Sequence, residues 1–201
     1  TQIDCEMAFV EQEDILNMFE GLTRHLMKEV KNIEVSDFPR MTYNDAMKMY
    51  GSDKPDIRFD MQLLKLNSTC QGKGFSVFDN AEIIIGINVK GCADYSRKQL
   101  DSLIDFVKNP QVGGNGLIYC KYNDDGTSKS SVDKFFNEQA RMDWAKEAKC
   151  EKGDLLLIMA GEKDKTRKAL GVLRLHLGEK LGLRDPEKFA PLWVIDFPLL
   201  E

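Results

Sequence analysis

The run Phe38-Pro39-Arg40-Met41-Thr42-Tyr43-Asn44-Asp45-Ala46-Met47-Lys48-Met49-Tyr50-Gly51-Ser52-Asp53-Lys54-Pro55-Asp56 decides how this chain divides. Pro39 pushes Phe38 out of the helical region, so the first four residues read as extended. Thr42 then offers an N-cap hydroxyl, and Asp45 follows three residues on, near the positive end of the helix dipole. Gly51 takes the left-handed conformation that closes a short helix, and Lys54-Pro55 prevents its continuation. The run is a hinge between a short first segment and a long second one with its own alternation of strands and helices.

Before the hinge, Ile3, Cys5, Met7 and Phe9 alternate with Gln2, Asp4 and Glu6, the period of a half-buried strand over residues 1–9. Its polar face meets either water or a polar ligand, because such groups are costly to bury unpaired. A helix is expected from Glu13 to Lys31, with Ile15, Phe19, Leu22, Leu26 and Val30 as its apolar stripe, widened by Leu16 and Met27. His25 lies beside that stripe and reads as a surface or packed residue, with no second ligand spaced to join it.

After the hinge, residues 62–183 read as strand, strand, helix, strand, helix, strand, helix. Strands are expected over Phe75 to Phe78, Ile83 to Val89, Leu117 to Tyr122 and Leu155 to Ala160, the second apolar enough to be buried on both faces. Helices are expected after Ser96 (Leu100, Leu103, Ile104, Val107), after Ser131 (Phe135, Phe136, Ala140, Trp144), and from Asp164 to Leu181 (Leu170, Leu173, Leu177, Leu181). Asn123 to Ser130 reads as a surface loop. The pattern makes a two-layer α+β domain of two strand-strand-helix halves. Residues 184–201 return as a proline-rich loop and a strand over Leu192 to Phe197, expected beside the sheet that holds residues 1–9. Residues 62–183 are then an insertion between 1–61 and 184–201.

Composition narrows the classes. Hydrophobic residues at 42% and charged residues at 30% describe an ordinary globular protein. No apolar run approaches the roughly 20 residues of a membrane span, and no basic-then-apolar leader opens the chain. A formal net charge of −5 means that any RNA contact comes from a local patch. The cysteines Cys5, Cys70, Cys92, Cys120 and Cys150 are odd in number and unpaired in spacing, which fits small buried side chains in a reducing compartment. The chain begins at Thr1 inside a strand-like alternation, so it is expected to be a piece of a larger protein.

The strings TQIDCEM (1–7), FPRMTYNDAMKMYGSDKPDIRF (38–59) and LWVIDFPLLE (192–201) together resemble the bacterial-type aspartyl-tRNA synthetases, in that family's order and separations and over the whole chain. The resemblance implies part of a class II antiparallel catalytic sheet, from the strand after the motif 2 loop, with the insertion (GAD) domain between motifs 2 and 3. It implies an enzyme that activates aspartate with ATP and magnesium and transfers it to tRNA, cytoplasmic and homodimeric. On it, Asp4 receives the ammonium group of bound aspartate, Gln2 belongs to the same network, and Glu6 lies near the nucleotide. A fixed carboxylate in a dry pocket suits a charged ammonium.

The family's motif 2 arginine and its acidic partner are expected before residue 1, and the motif 3 arginine and a histidine pair beyond residue 201. The chain is therefore expected not to catalyse alone, nor to bind ATP or magnesium alone. The inserted region resembles a domain shared with certain tRNA-dependent amidotransferases, which leaves a non-catalytic tRNA-docking module as the alternative, and a domain that only braces the catalytic sheet and touches no RNA as a third. Such a module has no need of TQID, GSDKPD or WVIDFP, and this chain carries all three.

Helical spacing places Lys163, Arg167 and Arg174 on one solvent face, with Lys165 and Lys168 nearby, as a possible phosphate contact diluted by Glu162, Asp164 and Glu179. An ordinary solvated face is the plainer reading. Asp53, Lys54 and Asp56 form either a small ion-pair cluster or a hinge ordered by local charge, with no catalytic role assigned. Gly72-Lys73-Gly74 and Gly113-Gly114-Asn115-Gly116 lack phosphate-loop spacing and read as turns. His176 lacks metal-ligand spacing.

Overall fold

The computed structural model describes residues 2–35 and 37–199. Thr1, Leu200 and Glu201, which end the first and last quoted strings, lie outside the described residues, as does Ser36.

Local chemistry sets the first elements. Helix α1 (Gln12–Lys31) opens on a capping box: the Glu11 side chain accepts from the third helical N–H, and the Asp14 carboxylate accepts from the Glu11 N–H at 2.9 Å. Asn32, left-handed at φ 54°, closes it. Strand β1 (Arg40–Thr42) and helix α2 (Tyr43–Tyr50) follow as the hinge sequence requires. Thr42 Oγ1 accepts from the Asp45 N–H at 3.1 Å, and Gly51 sits at φ 67°.

The next elements, in order, are β2 (Leu64–Lys65), the single turns α3 (Asn67–Cys70) and α4 (Ser76–Asp79), β3 (Ile83–Val89) and α5 (Arg97–Lys108). Then come β4 (Ile118–Tyr122), β5 (Ser128–Ser130), α6 (Glu138–Glu147), β6 (Leu155–Gly161), α7 (Lys163–Lys180) and β7 (Trp193–Ile195).

Two sheets result. Strands β2-β3-β6-β4-β5 form an antiparallel sheet in that order, with β3 and β6 paired from Ile83 opposite Gly161 to Val89 opposite Leu155. Ile83, Ile85, Ile87, Leu155 and Leu157 turn to one face, where Leu100, Leu103 and Val107 of α5 and Leu170, Leu173 and Leu177 of α7 cover them. Ile84, Leu156 and Ile158 turn to the other, packed with Phe78, Phe136 and Trp144 from the side of α3, α4 and α6. The continuous apolar run of β3 is thus buried on both faces, as a central strand requires. The class is α+β; the five-stranded sheet carries helices on both faces, one layer more than the two expected. The smaller sheet is the parallel pair β1 and β7, Arg40 opposite Trp193, Met41 opposite Val194 and Thr42 opposite Ile195.

Several expectations are corrected. Residues 2–9 form no strand, because β1 and β7 pair with each other and neither takes that segment as a neighbour. The apolar stripe of α1 is narrower than expected: Leu16 is buried as part of it, Glu20 is buried beside it, and Leu26 and Val30 stay exposed. Ser76 to Asp79 is helical, because the Asp79 carboxylate gathers the Gly72, Lys73 and Gly74 N–H groups at 2.7, 3.3 and 2.9 Å and folds the chain back. Asn123 to Ser130 contains β5, paired with β4 as a hairpin.

The helix expected after Ser131 starts at Glu138 instead. Ser130 and Asp133 consume the local N–H groups in a turn, and Asn137 Oδ1 caps the helix through the Ala140 N–H at 2.9 Å. Cys70, Cys92 and Cys120 are buried and Cys150 half-buried, while Cys5 is exposed. Burial pushes the Cys70 and Cys150 thiols up to about 12.

Candidate functional site

The parallel pairing of β1 with β7 brings the second and third quoted strings side by side. A buried ionic knot fastens them to α1. Glu20, 5% exposed, accepts from an Arg40 Nη1–H and, at 3.1 Å, from the Trp193 indole N–H. Arg40 also donates to Glu13 at 2.8 Å and to the Phe38 carbonyl at 2.8 Å, and Arg24 pairs with Glu20 at 3.3 Å. Burial acts to raise the Glu20 carboxyl, but hydrogen bonds from Arg40 and Trp193 and the Arg40 charge outweigh it and leave it below its ordinary value. Beyond β7, Asp196 is left-handed at φ 57° and exposed, and the Phe197 ring meets that of Tyr43 at 5.1 Å.

A second charged knot ties the linker after α2 to the segment after α7. Arg58 grips Asp56 through Nε at 2.9 Å and Nη2 at 2.8 Å, in the two-pronged geometry that arginine makes with carboxylates. Arg184 adds a contact to the same carboxylate at 3.1 Å, and Arg58 Nη1 donates to the Asp185 carbonyl at 2.8 Å. The Arg58 hydrogen bond, ahead of the opposing effect of burial, holds the Asp56 carboxyl far below the usual range. Beside this knot a cavity of about 350 Å³ opens between α1 and the linkers, lined by Thr23, Met27, Ile57, Arg58 and Phe189 among others.

The structure distributes the sequence-predicted residues unevenly. Gln2, Asp4 and Glu6 lie exposed in an irregular segment. Lys163 opens α7, exposed, its backbone N–H held by Glu82 at 2.9 Å; Arg167 is half-buried one turn on. Arg174 leaves the expected solvent face altogether. It is 1% exposed, its guanidinium packed 3.9 Å from the Phe59 ring centroid and 4.9 Å from that of Tyr50. A buried guanidinium cannot reach a phosphate, so Arg174 drops out of the candidate RNA contacts. Its spacing carried the warning, since it stands four residues after Leu170 and three before Leu177 on the core stripe.

Of the hinge charges, Asp56 takes Arg58 and Arg184 as partners, while the Lys54 N–H bonds to Ser52. His25 is exposed. His176 stacks on Phe106 of α5 at 4.2 Å, and burial keeps its imidazole below the ordinary value. Arg40, Glu20, Arg58 and Arg184 were not singled out by sequence; the Pro55-Asp56-Ile57-Arg58 run, a carboxylate two residues before an arginine, is the local signal for part of this set. Among the described residues no group of three or more His, Cys, Asp or Glu side chains is placed to hold a metal ion. Among them, too, no helix is long and apolar enough to cross a membrane.

Comparison with known proteins attaches a family to this geometry. The family model described as tRNA synthetases class II (D, K and N) matches residues 1–201. The aspartate–tRNA ligase of Flavobacterium psychrophilum is 60% identical over 201 residues, 100% of this chain and 34% of that protein. Those of Azobacteroides pseudotrichonymphae and Porphyromonas gingivalis are 56% and 55% identical, again over 100% of this chain and over 34% and 35% of the relatives. The chain spans about a third of the length of the curated relatives it matches. With the matched stretch running through the β1–β7 pair and the five-stranded sheet alike, the chain belongs to the class II tRNA synthetases of the D, K and N group.

Proposed function

We propose that this chain is the part of an aspartate–tRNA ligase that carries one side of the aspartate pocket and the whole inserted module. The carrying observation is its 60% identity, end to end, to a protein of that name. The pairing of β1 with β7 supports the reading, since two strings some 150 residues apart in sequence meet residue for residue.

The complete enzyme joins aspartate to ATP and passes it to tRNA, as a cytoplasmic homodimer. In it Asp4 holds the substrate ammonium, Gln2 shares that network, and Glu6 stands near the nucleotide. These side chains work only when held against the rest of a catalytic sheet, because an ammonium is recognised by a carboxylate fixed out of water. Magnesium accompanies ATP in this chemistry; among the described residues no group of three or more His, Cys, Asp or Glu side chains is placed to hold it. Residues 62–183 form a module inserted between the two catalytic pieces 1–61 and 184–201, and Lys163 and Arg167 meet the acceptor arm of tRNA.

A chimera tests this reading. This chain replaces the matching third of the Flavobacterium psychrophilum enzyme, and aspartate-dependent exchange of pyrophosphate into ATP is measured. The exchange is retained, and Asp4→Asn lowers it by about 100-fold or more, the scale of losing a charged group on the reacting substrate. A chimera that folds but activates asparagine or lysine in place of aspartate rejects the reading.

A further inference from the structure

The segment that leads from α2 into the five-stranded sheet contains a strained backbone. Met61 has φ 85°, a left-handed value that strains a non-glycine residue and persists only where the surroundings enforce it. What enforces it is Arg174. Its Nε donates to the Met61 carbonyl at 2.9 Å, and its Nη2 donates to the carbonyls of Phe59 and Asp60 at 2.9 and 3.2 Å. The guanidinium lies between the Tyr50 and Phe59 rings, one at the end of α2 and one in the linker. Among the salt bridges of the described residues none includes Arg174: its direct contacts in the core are carbonyl dipoles and aromatic faces, with the Asp56 and Asp60 charges acting from farther off.

A core position on α7 would be filled more cheaply by leucine, as at Leu170, Leu173 and Leu177. The arginine does what leucine cannot: it grips three consecutive carbonyls of a segment more than a hundred residues away in sequence.

We propose that Arg174 is the pin of an orientation joint. It clamps the strained exit of the linker at Met61, and so sets the angle at which the five-stranded module stands on the α1, β1 and β7 part. Gly178, whose Cβ would approach the Phe59 ring to 2.6 Å, gives the clamped linker its close seat on α7. The joint acts in the same way whether the module meets tRNA or only braces the catalytic sheet.

Hydrogen exchange followed by mass spectrometry on the chain tests it, with Arg174→Met as the variant. Exchange over residues 57–63 rises on the order of 100-fold while β3 and β6 keep their protection, since local openings are read separately from global ones. In a Cys5→Ser background, spin labels introduced by Lys28→Cys on α1 and Lys108→Cys on α5 give a distance distribution that broadens in the variant. Arg174→Lys keeps the charge but offers a point donor in place of the fork, so it shows the same pattern in weaker form. An increase shared equally by residues 57–63 and by β3 and β6 overturns the proposal, because Arg174 is then a core residue and no pin. Failure of both variants to fold overturns it too, since a pin is removed without loss of the module it positions.

Discussion

Gly171 of α7 and Tyr50 at the end of α2 are in backbone contact: a Cβ on Gly171 would lie 2.5 Å from the Tyr50 carbonyl oxygen and 3.2 Å from that of Gly51. The reciprocal approach is tighter, with a Cβ on Gly51 falling 2.0 Å from the Arg167 carbonyl oxygen. Neither obstacle is a flexible side chain. Gly171→Ala is therefore expected to lower stability by about 1–3 kcal/mol through overpacking, although alanine is the better helix former. The urea midpoint, read with an unchanged denaturant slope, checks it. A rise in midpoint would mean that α2 and α7 do not touch in solution.

Acid should loosen the knot of Asp56 with Arg58 and Arg184. The folded-state carboxyl of Asp56 lies far below its ordinary value of 3.8, held there first by the Arg58 hydrogen bond. The unfolded chain binds a proton first as pH falls, so the contribution of Asp56 is fully present above 3.8 and is lost progressively below it. Asp56→Asn lowers the unfolding midpoint at pH 7 and flattens its dependence on pH between about 4 and 2. Equal slopes in both proteins would place the acid sensitivity elsewhere.

Trp144 is fully buried between Phe78 and Phe136, and its indole nitrogen has no hydrogen-bond partner. Trp144→Ala is expected to cost about 3–5 kcal/mol through the cavity it leaves. Trp144→Phe costs much less than that, since the group it removes donates to nothing in the folded state. Paired urea titrations separate the two, and a phenylalanine variant as weak as the alanine one would show that the N–H is satisfied in solution.

If α7 meets the acceptor arm, the contact is electrostatic and small. Binding of a minihelix copying the aspartate acceptor arm should weaken as salt rises, and Lys163→Ala with Arg167→Ala should reduce the salt slope by about 1–2. Arg174→Met should leave that slope unchanged, because its charge is buried. Absence of binding at low salt assigns the module to bracing.

Elements whose signals are local were legible in the sequence. The α2 helix follows from Thr42, Asp45 and Gly51, all within one short run, and the α5 helix from Ser96 with its Leu100, Leu103 and Val107 face. The isoleucine run of β3 announced its double burial by lacking alternation. What failed depended on distant partners. Alternation over residues 2–9 promised a strand, but a strand exists only by pairing, and the described sheets leave that segment unpaired. Ser76 to Asp79 turned helical through a carboxylate reaching back to a glycine loop. Arg174 carried a surface residue's charge on a core residue's spacing, and the carbonyls that hold it come from Phe59 to Met61. The candidate site was legible as strings and not as geometry: β1 and β7 could be matched to a family before anything showed that they touch.

That contact carries an order of assembly within it. Between Thr42 and Trp193 the chain runs through roughly 150 residues, and closing so long a loop from an unfolded state costs about 4–5 kcal/mol of chain entropy. A three-residue parallel ladder repays little of that. Once the five-stranded sheet and its helices have formed, Arg58 and Arg184 already hold the linker ends together on Asp56, and the separation left to close shrinks to the stretches from Thr42 to Asp56 and from Arg184 to Trp193, roughly ten to fifteen residues on each side. The seam between β1 and β7 should thus be the last structure to appear during folding and the first to part on unfolding, with the five-stranded sheet and its helices serving as the template that lets the outer strands find each other.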